Sequence, residues 1–159
     1  MKKIILPALL FFFTFSLFGQ TKITKASIVG KWVISAVEMK GMFYYCVEND
    51  SLGFGDMIKA QVADTSQLKA VTGMIKPQLT VFTKMAFIFN LDGTAELENG
   101  IDSAQVASYT VDEENSTITT TDKDKKEDTM KAEMLIEKLK ISVKQPEGEI
   151  LMLLKKVER

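Results

Sequence analysis

The sequence predicts an all-β protein, an antiparallel up-and-down β-barrel of about eight strands that carries a helical insertion. From Phe87 onward, short segments with alternating apolar and polar residues are separated by turn residues. Residues 56–83 repeat their apolar residues with a helical period instead. One strand-like segment, residues 27–38, precedes the insertion. This order of strand, helices and hairpins indicates a meander that is interrupted near its start.

The first predicted strand contains Gly30-Lys31-Trp32, and Trp32 is the single tryptophan of the chain. A large, rigid indole at the beginning of a first strand suits the base of a small barrel, where a bulky side chain fills the space between strands. The neighbouring glycine leaves room for another backbone to come close. Residues 42–48, with the sequence MFYYCVE, are a second candidate strand.

The insertion is predicted to contain helices separated by a proline. Asp64, followed three positions later by Gln67, is typical of a helix N-terminus. Pro77 would remove a hydrogen bond from a continuous helix, so we expect one helix to end near Lys76 and a shorter one to begin at Pro77. Residues 57–63 are a candidate for a short helix before them. The apolar stripe of these helices consists of Leu68, Val71, Ile75, Leu79 and Phe82.

The hairpins after the insertion are predicted from their turns and from their period of two. Asp92-Gly93 between two alternating segments is a strong hairpin signal, because both residues tolerate left-handed backbone angles. Residues 150–154 are apolar on both faces, so we expect one face inside the barrel and the other under the helical stripe. The predicted inward positions of the other strands are Ala107, Tyr109, Val111, Met130, Ala132, Met134, Ile136, Leu139, Ile141 and Val143.

The N-terminus has the pattern of a secretory signal peptide, for which we take residues 1–19. Lys2 and Lys3 precede an apolar run over residues 4–18, and Gly19 offers a small residue for cleavage. As a helix the run would rise about 22 Å, which is too short for a bilayer core of about 30 Å. We therefore expect an exported protein, periplasmic or secreted, with one domain over residues 20–159 and no stable membrane insertion after cleavage.

The composition excludes several classes of function. There is no histidine, which removes Ser-His-Asp and Cys-His catalysis and histidine-ligated metal sites. Cys46 is the single cysteine, so no intrachain disulfide can form, and we expect it to be a small buried apolar residue. Without Lys2 and Lys3 the chain has 18 basic and 21 acidic residues and no basic stripe, which argues against nucleic acid as a partner. We expect no enzymatic activity, no catalytic residues, no metal site and no cofactor.

The pattern resembles the bacterial lipocalin-like domains, including those common in exported proteins of Bacteroidota. The matching features are Gly30-Lys31-Trp32 and the hairpin motif Phe87-x-Phe89-x-x-Asp92-Gly93-Thr94, together with the C-terminal hairpins. The resemblance implies that the tryptophan packs across the closed end of the barrel. Residues 49–84 depart from it, since they are helical where a typical lipocalin continues with strands. These helices would cover or plug the mouth.

We expect a protein that binds a small hydrophobic or amphipathic ligand inside the barrel. The same inward residues would alternatively fill the interior, since an eight-stranded barrel is just wide enough for either arrangement. The chain would then be an envelope protein–protein interaction module with a packed, ligand-free core, using an exposed apolar surface on Met42, Phe43 and Tyr45. The candidate lining residues are Trp32, Ile34, Phe87, Phe89, Tyr109, Met134, Ile141 and Leu153.

Three segments resemble the O-glycosylation sequon of exported Bacteroidota proteins. They are Asp50-Ser51-Leu52, Asp102-Ser103-Ala104 and Asp128-Thr129-Met130. Asp-Ser and Asp-Thr are also common pairs in turns, so the sequence leaves both interpretations open.

Overall fold

Ten antiparallel strands form one sheet in the computed structural model, which describes residues 22–62, 64–146 and 148–158. Eight of these strands close into a barrel, and the remaining two form a hairpin outside it. The predicted fold class is thereby confirmed. The strands are β1 (Gly30–Met39), β2 (Phe43–Cys46), β3 (Ser51–Phe54), β4 (Ala86–Phe89), β5 (Thr94–Glu98), β6 (Gln105–Asp112), β7 (Thr117–Thr121), β8 (Glu127–Leu135), β9 (Lys138–Gln145) and β10 (Gly148–Lys156).

The barrel is closed by pairing between its first and last strands. β1 pairs with β10 from Trp32 opposite Lys156 to Met39 opposite Ile150. The other edge of β1 is shared, because residues 30–33 pair with β4 and residues 36–39 pair with β2. β4 to β10 follow as consecutive hairpin neighbours around the barrel. All seven strands predicted after the insertion are present.

A β-bulge at Ser35 marks the point where the edge of β1 passes from β4 to β2. Ile34 lies opposite Leu154 and Ala36 opposite Leu153, so Ser35 is the extra residue on β1. Its hydroxyl donates to the carbonyl of Leu153 at 3.0 Å, and its carbonyl accepts the amide of Val47 at 2.9 Å. The buried polar groups at the irregularity are therefore satisfied.

One end of the barrel, which we call the closed end, is filled by Trp32 and by a helix that the sequence did not predict. α1 (Lys25–Ile28) is a single turn, capped by the side chain of Thr24. Ile23 and Ile28 are fully buried in the barrel core. Trp32 is 2% exposed, and its indole N–H donates to the carbonyl of Ile28 at 2.7 Å. The expectation that the tryptophan fills the base of the barrel is confirmed.

Gly30 makes room at this end for a side chain, rather than for a second backbone as expected. Its φ of +131° lies in a region that other residues rarely adopt. A Cβ at this position would come within 2.7 Å of the Lys156 side chain. Lys156 can therefore extend over the indole, with its ammonium 5.3 Å from the ring centroid of Trp32.

The insertion contains two α-helices and a 3₁₀ helix. They are α2 (Asp56–Lys59), α3 (Thr65–Leu79) and a 3₁₀ helix over Thr80–Lys84. The prediction that Pro77 separates two helices is wrong, because α3 continues through it. Pro77 lies in the last turn, so it removes one hydrogen bond near the helix end, and the 3₁₀ helix then takes the chain back to β4.

The helices attach to the barrel through the predicted stripe, but only in part. Leu79 is buried, whereas Leu68, Val71 and Ile75 are half-buried. The N-terminus of α3 is capped as predicted, because a carboxylate oxygen of Asp64 accepts the amides of Ser66 and Gln67. The apolar core extends from the barrel into the insertion through Phe43, Val47, Phe82 and Met85.

A polar contact fastens α3 to the hairpin of β2 and β3. The hydroxyl of Tyr45 donates to one oxygen of Asp50 at 2.9 Å, and the ammonium of Lys76 lies 2.6 Å from the other oxygen. Asp50 has a φ of 51°, which aspartate tolerates in a turn. Lys76 and Tyr45 together hold the pKa of the Asp50 carboxyl below its usual range.

Two further expectations concern Ile136 and the N-terminal residues 1–19. Ile136 is not an inward residue: β8 ends at Leu135, and Ile136 lies at the tip of the next turn, 81% exposed. The predicted signal peptide, residues 1–19, lies outside the described residues. Among the helices of the described part, none is long and apolar enough to span a membrane.

We expect Trp32→Ala to lower the free energy of unfolding by about 3–5 kcal/mol, because it removes the largest side chain of the closed end and leaves a cavity. Trp32→Phe retains the ring but loses the hydrogen bond to Ile28, so its effect should be intermediate. Urea unfolding followed by far-UV circular dichroism measures both. Tyr44→Ala is the control, since Tyr44 is 47% exposed. Equal losses for Trp32→Ala and Tyr44→Ala would contradict the role assigned to the indole.

We expect Asp50→Asn to lower the melting temperature at pH 6 and to have a smaller effect at pH 3. A carboxyl whose pKa is lower in the folded protein stabilises it above the unfolded value of about 4, and this contribution disappears as the pH falls through the folded value. Asparagine retains the shape and the tolerance for a positive φ. Thermal melts of both proteins at the two pH values test this. A difference that is independent of pH would show that the charge of Asp50 does not contribute.

Candidate ligand-binding cavity

The interior of the barrel is packed at the closed end. Ile118, Leu139, Ile141 and Leu154 are fully buried, and together with Trp32 they belong to one apolar cluster. Every described buried side-chain polar atom has a hydrogen-bond partner. A separate open cleft of about 1,120 Å³ lies at this end, lined among others by Trp32, Ile34 and Met134.

The interior opens toward the other end, which we call the mouth and which carries the β5–β6 and β7–β8 turns. A cavity of about 370 Å³ lies there against the strands from β4 to β8. Its apolar wall is formed by Phe87, Phe89, Ala95, Leu97, Val106, Ala107 and Met130. Its polar residues are Glu96, Gln105, Thr120, Asp122, Lys126 and Asp128.

The cavity exists because two small residues face each other across neighbouring strands. Ala95 on β5 lies directly opposite Ala107 on β6, and both point inward. Residues that pair across strands share one face of the sheet, so these two alanines occupy a place where larger side chains would otherwise meet. Phe87 and Leu97 form the next inward pair toward the mouth.

An aromatic pair forms the floor of the cavity. The rings of Phe89 and Tyr109 meet edge to face, with centroids 5.2 Å apart and an angle of 69° between planes. The hydroxyl of Tyr109 donates to the carbonyl of Asn90 at 2.8 Å, in the β4–β5 turn at the closed end. Burial, with a smaller contribution from Asp92, raises the pKa of Tyr109. This hydroxyl is therefore a neutral donor whose hydrogen bond is made to the turn.

The predicted lining residues divide into two groups. Phe87 and Phe89 line the cavity. The others that point inward pack in or against the core cluster below it and do not line the cavity; they are Trp32, Ile34, Tyr109, Met134 and Ile141.

Leu153 was expected inside the barrel and lies on its outer face. Its neighbours Met152 and Leu154 belong to the core, and side chains alternate along a strand. Leu153 lies opposite Lys140, whose ammonium pairs with Glu133 at 3.3 Å on that outer face. β10 is apolar on both faces, so its sequence did not indicate which face was inside.

Four lining residues, Ala95, Leu97, Ala107 and Met130, were not among those predicted from the sequence. Ala107 and Met130 were predicted to face inward, but not to line a cavity. Ala95 and Leu97 follow from the same period of two once the β4–β5 turn fixes the register. The signal for the cavity was therefore the pairing of two alanines, which requires knowledge of the strand register.

Asp92 and Asp112 act in turns. Asp92 accepts the amide and the hydroxyl of Thr94, and Asp112 accepts two amides and the side chain of Asn115. These hydrogen bonds lower the pKa of both carboxyls. In the part of the chain that the structure describes, no group of three or more Cys, Asp or Glu residues could hold a metal ion.

The apolar surface expected for a protein-interaction module is not formed. Tyr45 is 1% exposed, and Met42 and Phe43 are half-buried. Tyr44, on the opposite face of β2, is exposed instead. Cys46 is half-buried beside it, rather than buried as expected.

Comparisons of the chain with family models, with curated proteins and with solved structures found no match. The family resemblance of the sequence therefore stays an expectation. The geometry of the cavity is the observation from which a function can be argued.

Proposed function

We propose that this protein is an exported, lipocalin-like protein that binds a small hydrophobic or amphipathic ligand at the mouth of its barrel. The observation that carries the proposal is an apolar cavity on the inner face of a closed barrel, with an aromatic floor. Ligand sites are concave, mostly apolar and equipped with a few polar groups. The cavity has each of these properties.

The volume of the cavity limits the ligand to a compact one. About 370 Å³ lies near the lower end of the range of ligand pockets, roughly 300–1,000 Å³. The Phe89–Tyr109 pair ends the cavity below, so a long acyl chain has no channel to enter. Burial of apolar ligand surface supplies affinity of about 25 cal/mol per Å².

We expect wild-type protein to bind 1-aminoanthracene, a compact apolar fluorophore, and Ala107→Leu to abolish this binding by filling the cavity. The same substitution should raise the free energy of unfolding by about 0.5–2 kcal/mol, as cavity-filling changes commonly do. Fluorescence titration measures binding, and urea unfolding measures stability.

Thr110→Leu is the matched control, because Thr110 lies on β6 like Ala107 but is exposed and does not line the cavity. It should leave the titration unchanged. Absence of fluorophore binding by the wild type, or equal binding by the folded Ala107→Leu variant, would overturn the proposal that the cavity is a ligand site.

We expect the protein isolated from its host to begin at Gln20, because residues 1–19 have the three parts of a signal peptide. Intact-mass measurement of protein from the periplasmic and culture fractions detects the shortened chain. Replacing Leu9 and Leu10 by glutamate should keep the longer chain in the cell, since it interrupts the apolar run. A full-length chain in the exported fractions would contradict cleavage.

A further inference from the structure

Two carboxylates occupy inward positions at the rim of the cavity. Ile118 of β7 and Met130 of β8 lie opposite each other and face the interior. Two residues nearer the mouth, Thr120 lies opposite Asp128, so the same period places both on the inner side. Asp122 follows Thr120 at the next inward position, and both aspartates line the cavity.

Below this rim, one charged residue, Glu96, lines the cavity. Among the described residues that line the cavity, the charged ones are Glu96, Asp122, Lys126 and Asp128. The Glu96 carboxylate accepts a hydrogen bond from the side chain of Asn90, toward the closed end, and does not belong to the rim. The rim therefore has two negative charges and one positive charge.

The single rim cation is held by one of these aspartates. The ammonium of Lys126 lies 3.5 Å from Asp128, and both side chains are about two-thirds exposed or more. One oxygen of Asp122 accepts the amides of Asp124 and Lys126. Lys123 and Lys125 belong to the same loop but do not line the cavity. The rim thus presents a net negative charge above an apolar well.

We infer that the ligand class of this cavity is a compact amphiphile with a protonated amine on a short apolar body. The body occupies the well between Phe87 and Met130, and the ammonium exchanges with Lys126 as the partner of Asp128. An anionic head would instead meet two carboxylates. This inference rests on the proposed function, because it assigns a ligand class to the same cavity.

The test compares three ligands that share one apolar body: 3-phenylpropylamine, 3-phenylpropan-1-ol and 3-phenylpropionate. NMR chemical-shift titrations at low ionic strength give their affinities for the full chain. We expect the amine to bind about two- to fivefold more tightly than the alcohol, because an exposed ion pair contributes little free energy. The carboxylate should bind least tightly. The preference should shrink in 0.5 M salt, because exposed charges are screened.

Two substitutions at the rim should act in opposite directions. Asp128→Asn removes the anionic partner and should abolish the preference for the amine over the alcohol. Lys126→Gln removes the competing cation and should increase it. Asp124→Asn is the control in the same loop, because Asp124 does not line the cavity, and it should leave the preference unchanged.

The outcomes separate this inference from the proposed function. Equal affinities for all three ligands, with binding abolished in Ala107→Leu, would overturn the charge preference and retain the cavity as a ligand site. Tightest binding of the carboxylate, weakened by Lys126→Gln, would overturn the inference in favour of an anionic ligand. No shifts at cavity residues with any ligand would overturn both.

Discussion

The pairing of β1 with β10 is the constraint on which the rest of the structure depends. It closes the barrel, and it fixes which residues of β1 face inward, because a slip of one residue would turn Trp32 and Ile34 toward solvent. The bulge at Ser35 also allows the other edge of β1 to pair with two strands, β4 and β2. Without the bulge, this edge of β1 would pair with only one of the two strands, or part of it would remain unpaired.

Side-chain volume is distributed unevenly along the barrel axis, and this distribution separates a stable end from an open one. Trp32, Ile23 and Ile28 fill the closed end, and the indole hydrogen bond ties α1 to β1. Toward the mouth, Ala95 and Ala107 face each other and leave space above the Phe89 ring. The sequence left a filled interior and a ligand cavity as alternatives for the whole barrel. The structure has a packed core toward the closed end and an apolar cavity toward the mouth.

The sequence predicted those features that depend on short-range patterns. The period of two in residues 139–143 identified Leu139 and Ile141 as buried, and the Asp92-Gly93 turn formed as expected. α1 was missed because a single turn has too few residues for a period, and Leu153 was placed inside because β10 is apolar on both faces. The cavity was missed because it results from two alanines on different strands, and such pairs become visible only when the register is known.

The position at which the insertion attaches to the barrel determines whether it covers the cavity. The resemblance raised the expectation that helices would cover or plug the mouth. β2 and β3 extend the edge of β1 that β4 does not reach, and Phe82 and Met85 join the core from that side. None of the described residues of the insertion lines the cavity, which lies against β4 to β8. The helices therefore pack beside β1 and leave the cavity uncovered by any described residue of the insertion.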